Sequence, residues 1–202
     1  MIEANGAAID AEDDYALVMR VRAGDRNAYA TLARRHAPIA LRTASLLGAG
    51  SEAEDVVQEA MIKAYRTLDR FREGAPFRPW LLRIVANETH NLNRASVRRV
   101  GRERSATALS PNLIAPDTMD DPEGHALRAE SRASLLQALQ DLPEPMRQVV
   151  ICRYLLDLNE AETATVLNLP RGTVKSRLNR GLTKLRSLIA DGVPAAVGGA
   201  HD

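Results

Sequence analysis

Arg171, Lys175, Arg177, Arg180, Lys184 and Arg186 fall within sixteen residues that contain no acid. Cations at this density, with Ser176 and Asn179 among them, suit a polyanion. Arginine, lysine and asparagine make the bidentate hydrogen bonds that distinguish base edges, and the two cations also neutralise phosphates. A second basic run, Arg94, Arg98, Arg99, Arg102 and Arg104 against Glu103 alone, lies upstream. Solvated helix faces usually intersperse acids with bases. Two strongly basic runs on a chain of formal net charge +1 therefore point to two separate contacts with nucleic acid. Covalent chemistry finds no comparable support. His36, His90, His125 and His201 are scattered without metal-ligand spacing, and His90 is not part of an HExxH pattern. There is no glycine-rich phosphate loop, and the single Cys152 reads as a small core residue. No catalytic residue, metal or cofactor is expected, and the chain is not read as an enzyme.

The elements that must hold these residues are helices. Aromatic residues are 3% of the chain and hydrophobic residues 45%, so the core must be built from Leu, Val, Ala and Ile. The apolar positions recur at helical rather than alternating spacing. The expected fold class is all-α: two small helical domains joined by a flexible linker, the C-terminal one a helix-turn-helix. Residues 1–14 are an acidic stretch expected to be disordered, without the basic start and apolar run of a secretory signal. The first domain covers 15–100, a flexible acidic linker 101–127, the second domain 128–190, and a disordered tail 191–202. Within the first domain, helices are expected over Asp14–Ala23, Arg26–Leu47 with a kink at Pro38, a third from Ser51, and a fourth from Pro79 to Arg99. Ser51 and Glu54 have the spacing of a capping box for the third. No run reaches the roughly 18 apolar residues of a membrane span. With the unpaired cysteine, this places the chain in the cytoplasm.

The C-terminal helices carry the more specific signal. A short helix with Ala161, Ala164, Val166 and Leu167 inward is followed by the turn Asn168–Arg171 and a longer helix. This is the sequence pattern of a motif whose second helix enters a major groove. At about 100° per residue, Val174, Leu178, Gly181, Leu182 and Leu185 share one face. The other face presents Gly172, Ser176, Asn179, Arg180 and Thr183, with Lys175 at its edge. Lys175, Ser176, Asn179 and Arg180 are the base-reading candidates. Arg171 and the free N–H groups at Gly172 and Thr173 suit a phosphate at a helix N-terminus, and Arg177 suits the flanking backbone.

In the first domain Asp55, Gln58, Glu59 and Ile62 fall at i, i+3, i+4 and i+7, one stripe of the third helix. Around it, GDRNAYATLARRH, AEDVVQEAMIKAYRTLDRF and FRPWLLRIVANETHNLNRASVRR resemble region 2 of the extracytoplasmic-function (group IV) sigma factors. LPEPMRQVV and GTVKSRLNRGLTKLR resemble their region 4. The resemblance implies a factor that binds core RNA polymerase through the large-subunit clamp and the flap, and reads promoter DNA at −35 and −10 elements while assisting duplex opening. It implies an anti-sigma protein as a further partner. On that resemblance, the stripe Asp55, Gln58, Glu59 and Ile62 docks on the clamp, and the loop Phe71–Pro79 captures an unpaired base of the −10 element. Arg72, Phe77 and Arg78 flank that base, while the rings of Phe71 and Phe77 are at least as well suited to plugging a core poor in aromatics, and Trp80 reads as core. The fourth helix meets −10 DNA with Arg83, Asn87, Asn91 and Arg94, and Arg98 and Arg99 lie on phosphates. Many members carry Asp where this chain has Asn91, which bears on its −10 preference. The alternative reading is a stand-alone helix-turn-helix regulator that binds operator DNA without polymerase. Such regulators usually dimerise on palindromes, whereas this chain has two dissimilar basic modules.

Overall fold

The computed structural model describes residues 13–100 and 133–192, with side chains over 13–95 and 133–190. All regular structure among the described residues is helical. The expected linker 101–127, residues 1–12 and the tail beyond 192 lie outside them.

Helices α1 (Asp14–Arg22) and α2 (Arg26–Leu46) are separated by a tight turn in which Gly24 takes φ +98°. Asp25 starts α2 by accepting from the N–H groups of Asn27 and Ala28 at 2.9 and 3.3 Å, two donors the helix itself cannot satisfy. Helix α2 continues through Pro38 and ends at Gly48, φ +98°. The chain does not then enter the third helix through a Ser51–Glu54 capping box. It passes through a 3₁₀ turn, Gly50–Glu52, and α3 (Ala53–Thr67) begins without a side-chain cap. An N-cap needs extended backbone; the 3₁₀ turn already curls Ser51 and removes that option. Helix α3 closes in a further 3₁₀ turn, Leu68–Arg70, and α4 (Phe77–Val100) follows a six-residue loop. It starts two residues before the expected Pro79, which still lies in the first turn, where a missing N–H costs nothing.

Residues 133–140 (α5) lead to α6 (Glu144–Val150), which widens into a π turn at Ile151–Leu155. The wide turn ends with Leu156 N–H on the carbonyl of Ile151, and Asp157 takes φ 50°. Helix α7 (Glu160–Leu167) is opened by a complete capping box: Asn159 accepts from Glu162 N–H, and Glu162 accepts from Asn159 N–H. Asn168, in the left-handed region at φ 52°, ends it, and α8 (Arg171–Gly192) follows within three residues.

Three apolar clusters hold these helices. Leu17, Val18, Leu32, Leu68, Phe71, Phe77 and Leu81 join α1 to α4. Ala40, Ala44, Ala53, Ala60, Val56 and Val85 form a second cluster; their small side chains let α2, α3 and α4 approach closely. The third contains Leu136, Leu139, Leu142, Val150, Ile151, Cys152, Leu156, Leu158 and Val166 from the C-terminal helices, together with Leu46 of α2 and Leu82 of α4. The C-terminal helices thus complete their core with residues of α2 and α4, and Arg78 of α4 donates to the carbonyl of Leu156 at 2.7 Å. Burial raises the Cys152 thiol to about 12, so it is an inert part of that core.

Gly181 is where α8 crosses α6. A Cβ placed there would lie 3.1 Å from Val150 Cγ2 and 3.4 Å from Met146 Cβ. Gly181→Leu should therefore destabilise the protein by about 1–3 kcal/mol through overpacking. Chemical denaturation checks this: unchanged stability would mean the crossing is looser than described.

Candidate nucleic-acid interface

The two halves of the helix-turn-helix are set by backbone geometry before any DNA is considered. Leu169 N–H reaches the carbonyl of Ala164 at 2.9 Å, closing the end of α7. Pro170 cannot donate, and its carbonyl accepts from Thr173 and Val174 at 2.9 and 3.1 Å to begin α8. Val174 is fully buried, and Leu178, Leu185 and Leu188 pack on the C-terminal core. That inner face leaves Arg171, Gly172, Lys175, Asn179, Arg180, Thr183, Lys184 and Arg186 exposed. Thr173, Ser176 and Arg177 are half-buried, with Ser176 Oγ donating back to the Thr173 carbonyl at 3.1 Å. Residues 171–186 carry no acid to contest the exposed cations, so this part of the face is a basic ridge.

The expected α4 residues separate into three groups. Arg83, Asn87, Asn91 and Arg94 are exposed at helical spacing and make one polar stripe, to which the equally exposed His90 belongs. Asn87 and His90 also line an open cleft of about 250 Å³ shared with Asn93, Gln148, Leu167 and Asn168. Arg78 is half-buried and engaged with Leu156. The side chains of Arg98 and Arg99 lie outside the described residues.

The loop between α3 and α4 holds its rings in the core. Phe77 is 4% exposed and Phe71 3%. Their rings pack edge-on, with centroids 5.8 Å apart, and Trp80 lies 5.2 and 5.5 Å from the two. Both phenylalanines and the single tryptophan of the chain thus sit in one cluster. A ring enclosed in this way offers no free face for a base, so Phe77 belongs to the core as the structure stands. Between these anchors Arg72, Glu73, Gly74 and Pro76 are exposed. Ala75 N–H closes a turn on the Arg72 carbonyl at 3.2 Å, with Gly74 at φ +72°. A positive φ at that turn position is the reason for glycine.

Asp55, Gln58, Glu59 and Ile62 all lie on the exposed face of α3, opposite Val56, Ala60 and Ala64 in the core. The stripe runs further than the sequence reading took it. Tyr65 is 44% exposed, beside Ile62 at 38%, and continuing the three-residue spacing would have found it. Lys63 borders the stripe, 3.6 Å from Glu59 and 2.5 Å from Glu88 of α4. Its ammonium is held above the ordinary lysine range, chiefly by Glu88.

An acidic-amide stripe on α3, a loop on aromatic anchors, a polar stripe on α4 and a basic ridge on α8 thus lie on one chain. The comparisons give it a family. The sigma-70 region 2 family matches residues 32–99 and the sigma-70 region 4 family residues 132–185. RNA polymerase sigma-H factor of Pseudomonas aeruginosa is 37% identical over 175 residues, covering 84% of this chain and 90% of that protein. ECF RNA polymerase sigma-E factor of Escherichia coli is 34% identical over 170 residues, covering 83% and 89%. Among solved structures, CnrH in complex with the cytosolic domain of CnrY superposes with TM-score 0.64 at 25% identity, covering 89% of this chain and 99% of that one. The Bartonella quintana sigma factor RpoE, solved with the anti-sigma factor NepR, shares the fold at TM-score 0.59, covering 80% of this chain and 98% of that one at 23% identity. The chain belongs to the extracytoplasmic-function sigma factors. It directs RNA polymerase to promoters. No described helix is long and apolar enough to cross a membrane.

His36 underlies the aromatic cluster. Its ring is 5.1 Å from that of Phe77, and its Nε2 is 2.8 Å from Asp14 Oδ2. Burial pushes its pKa below the ordinary 6.5, outweighing the pull of Asp14 in the other direction. The unfolded chain then binds a proton more readily than the folded one. The stability from neutral His36 is complete above pH 6.5 and is lost as pH falls below it towards the folded value. Melting curves of the native protein and His36→Gln at pH 7.5 and 5.5 should show the native advantage shrinking at the lower pH; a constant difference would contradict this.

Proposed function

We propose that the two pieces divide promoter recognition, with α8 reading the −35 element and α4 with the preceding loop reading and opening the −10 element. The observation that carries this reading is the pair of exposed stripes: an acid-free basic ridge on α8, and Arg83, Asn87, Asn91 and Arg94 on α4. Lys175, Ser176, Asn179 and Arg180 read base edges in the major groove. Arg171 with the N–H groups of Gly172 and Thr173 holds a phosphate at the helix N-terminus, and Arg177 a flanking one. Arg72 and the exposed turn at Glu73–Pro76 receive an unpaired base, and Arg98 and Arg99 meet phosphates. Duplex opening follows from differential binding: the flipped base and exposed strand gain contacts that the closed duplex lacks. No bond of the DNA is made or broken by the factor itself. Arg78 reaches DNA only after its bond to the Leu156 carbonyl is released, which requires the C-terminal helices to move from α4.

Asp55, Gln58, Glu59 and Ile62 are the docking stripe for the polymerase clamp. Carboxylates and an amide steer and orient a basic partner, while the apolar end adds contact area. The flap is the second polymerase contact, through the C-terminal helices. An anti-sigma protein is a further partner, by analogy with the sigma factors solved in complex with such proteins. The site of action is the cytoplasm, where polymerase and promoter are. The region boundaries we adopt are 15–100 and 128–190.

Changing Asp55, Gln58 and Glu59 together to Ala should weaken core-polymerase binding by roughly five- to thirty-fold, at about 1–2 kcal/mol for three exposed contacts. The melting temperature should stay unchanged, because all three are exposed. Unaltered holoenzyme assembly would remove the clamp assignment. Arg180→Ala or Lys175→Ala should reduce transcription from −35-dependent promoters by about 1–3 kcal/mol in recognition. A loss that does not depend on the −35 sequence would demote the residue to a phosphate contact. A gel shift with and without core polymerase separates the stand-alone regulator: tight, specific duplex binding by the chain alone would favour it.

A further inference from the structure

Helix α1 has no residue in either DNA-facing stripe, yet its side chains reach across the molecule to the loop between α3 and α4. The guanidinium of Arg22 donates through Nε and Nη2 to the carbonyl of Leu68 at 3.2 and 2.9 Å, and through Nη2 to that of Asp69 at 3.2 Å and to that of Phe71. These carbonyls end the α3 run, where a helix runs short of internal donors; that of Leu68 also accepts from Phe71 N–H at 3.0 Å. One planar fork satisfying three of them fixes the direction in which the chain leaves the helix. Seven residues earlier on α1, Tyr15 Oη donates to Glu73 Oε1 at 2.5 Å, and this bond is the chief cause of a raised tyrosine pKa. The only acid in the exposed turn is thereby tied to α1, next to Arg72.

The rest of the loop is fixed independently. Phe71 and Phe77 anchor its ends in the core, and the turn is closed by Ala75 on Arg72. The exposed positions 72, 73, 74 and 76 are therefore presented by a frame whose entry depends on Arg22. A preorganised site discriminates between ligands better than one that must be ordered on binding, because ordering costs every ligand alike and loosens the fit.

We infer that Arg22, assisted by Tyr15, is a positioning residue for base selection at the −10 element. It acts through the Phe71–Pro76 loop without touching DNA. This rests on the reading above that the loop receives an unpaired −10 base. Arg22 cannot be replaced by lysine without loss, since an ammonium on a single stem does not reproduce a planar fork aimed at several carbonyls.

The test uses holoenzyme assembled from the full chain and core polymerase. Its ligands are fork-junction promoter DNAs carrying each of the four bases at each unpaired −10 position. Arg22→Gln should flatten the preference among the four bases at the captured position by on the order of tenfold. Arg22→Lys should restore part of it, and Tyr15→Phe should give a smaller loss. Core-polymerase affinity and dependence on the −35 sequence should not change, which a general loss of folding would not allow. Should Arg22→Gln fail to fold, Arg22→Lys and Tyr15→Phe carry the test alone. Unchanged base preference in the folded Arg22 variants, while Arg72→Ala with Pro76→Gly alters it, would overturn the positioning role. Unchanged preference in the loop variant as well would overturn the assignment of the loop itself, and the positioning role with it.

Discussion

Helix α4 must serve three surfaces at once, and the helical period is what makes this possible. Leu81 and Val85 fill the core beneath α1–α3. Rotated by about 100°, Leu82 and Ala86 pack on the C-terminal helices. A further step round, Arg83, Asn87 and Arg94 are left to solvent. The polar stripe can stay in place because the other two faces are locked by burial, and a fully buried leucine is worth about 1.5–3 kcal/mol. The same arrangement sets a condition on function. The face beside the polar stripe is occupied by the C-terminal helices, through Leu82 and the bond from Arg78 to Leu156. Reading two separated DNA elements at once requires exchanging those contacts for others, which a partner surface on polymerase would supply.

Much of this was legible in the sequence because it depends on period alone. The stripe Asp55–Ile62, the stripe Arg83–Arg94 and the inner face Val174–Leu185 follow from spacing, and each lies on the side that the spacing indicates. What escaped reading depends on contacts distant in sequence. Nothing local marks Leu46 and Leu82 as belonging to a core built mainly by residues after 133. Phe77 satisfies the chemistry of a stacking ring and of a core plug equally, and only the enclosure by His36, Phe71 and Trp80 decides. Arg22 reads as an ordinary base at the end of a helix, because its partners are backbone carbonyls that carry no sequence signature.

Local chemistry misled in one place and was overlooked in another. Ser51 and Glu54 have the capping spacing, but the 3₁₀ turn at Gly50–Glu52 takes the chain into α3 by a different path. Asn159 and Glu162 have the same spacing and do form the box, because Asn159 is extended there. The π turn at Ile151–Leu155 has no composition cue. It lets Ile151, Cys152, Leu156 and Leu158 all enter one core, which a regular helix ending at the same place would not allow.

On the proposed function, the chain reads a bipartite promoter only as part of a polymerase complex. Run-off transcription with core polymerase over a promoter library randomised at both elements tests it most directly. Initiation is expected to require the chain and to select sequence at two separated elements. Selection at one element alone, or no initiation despite sequence-specific duplex binding by the free chain, would contradict it.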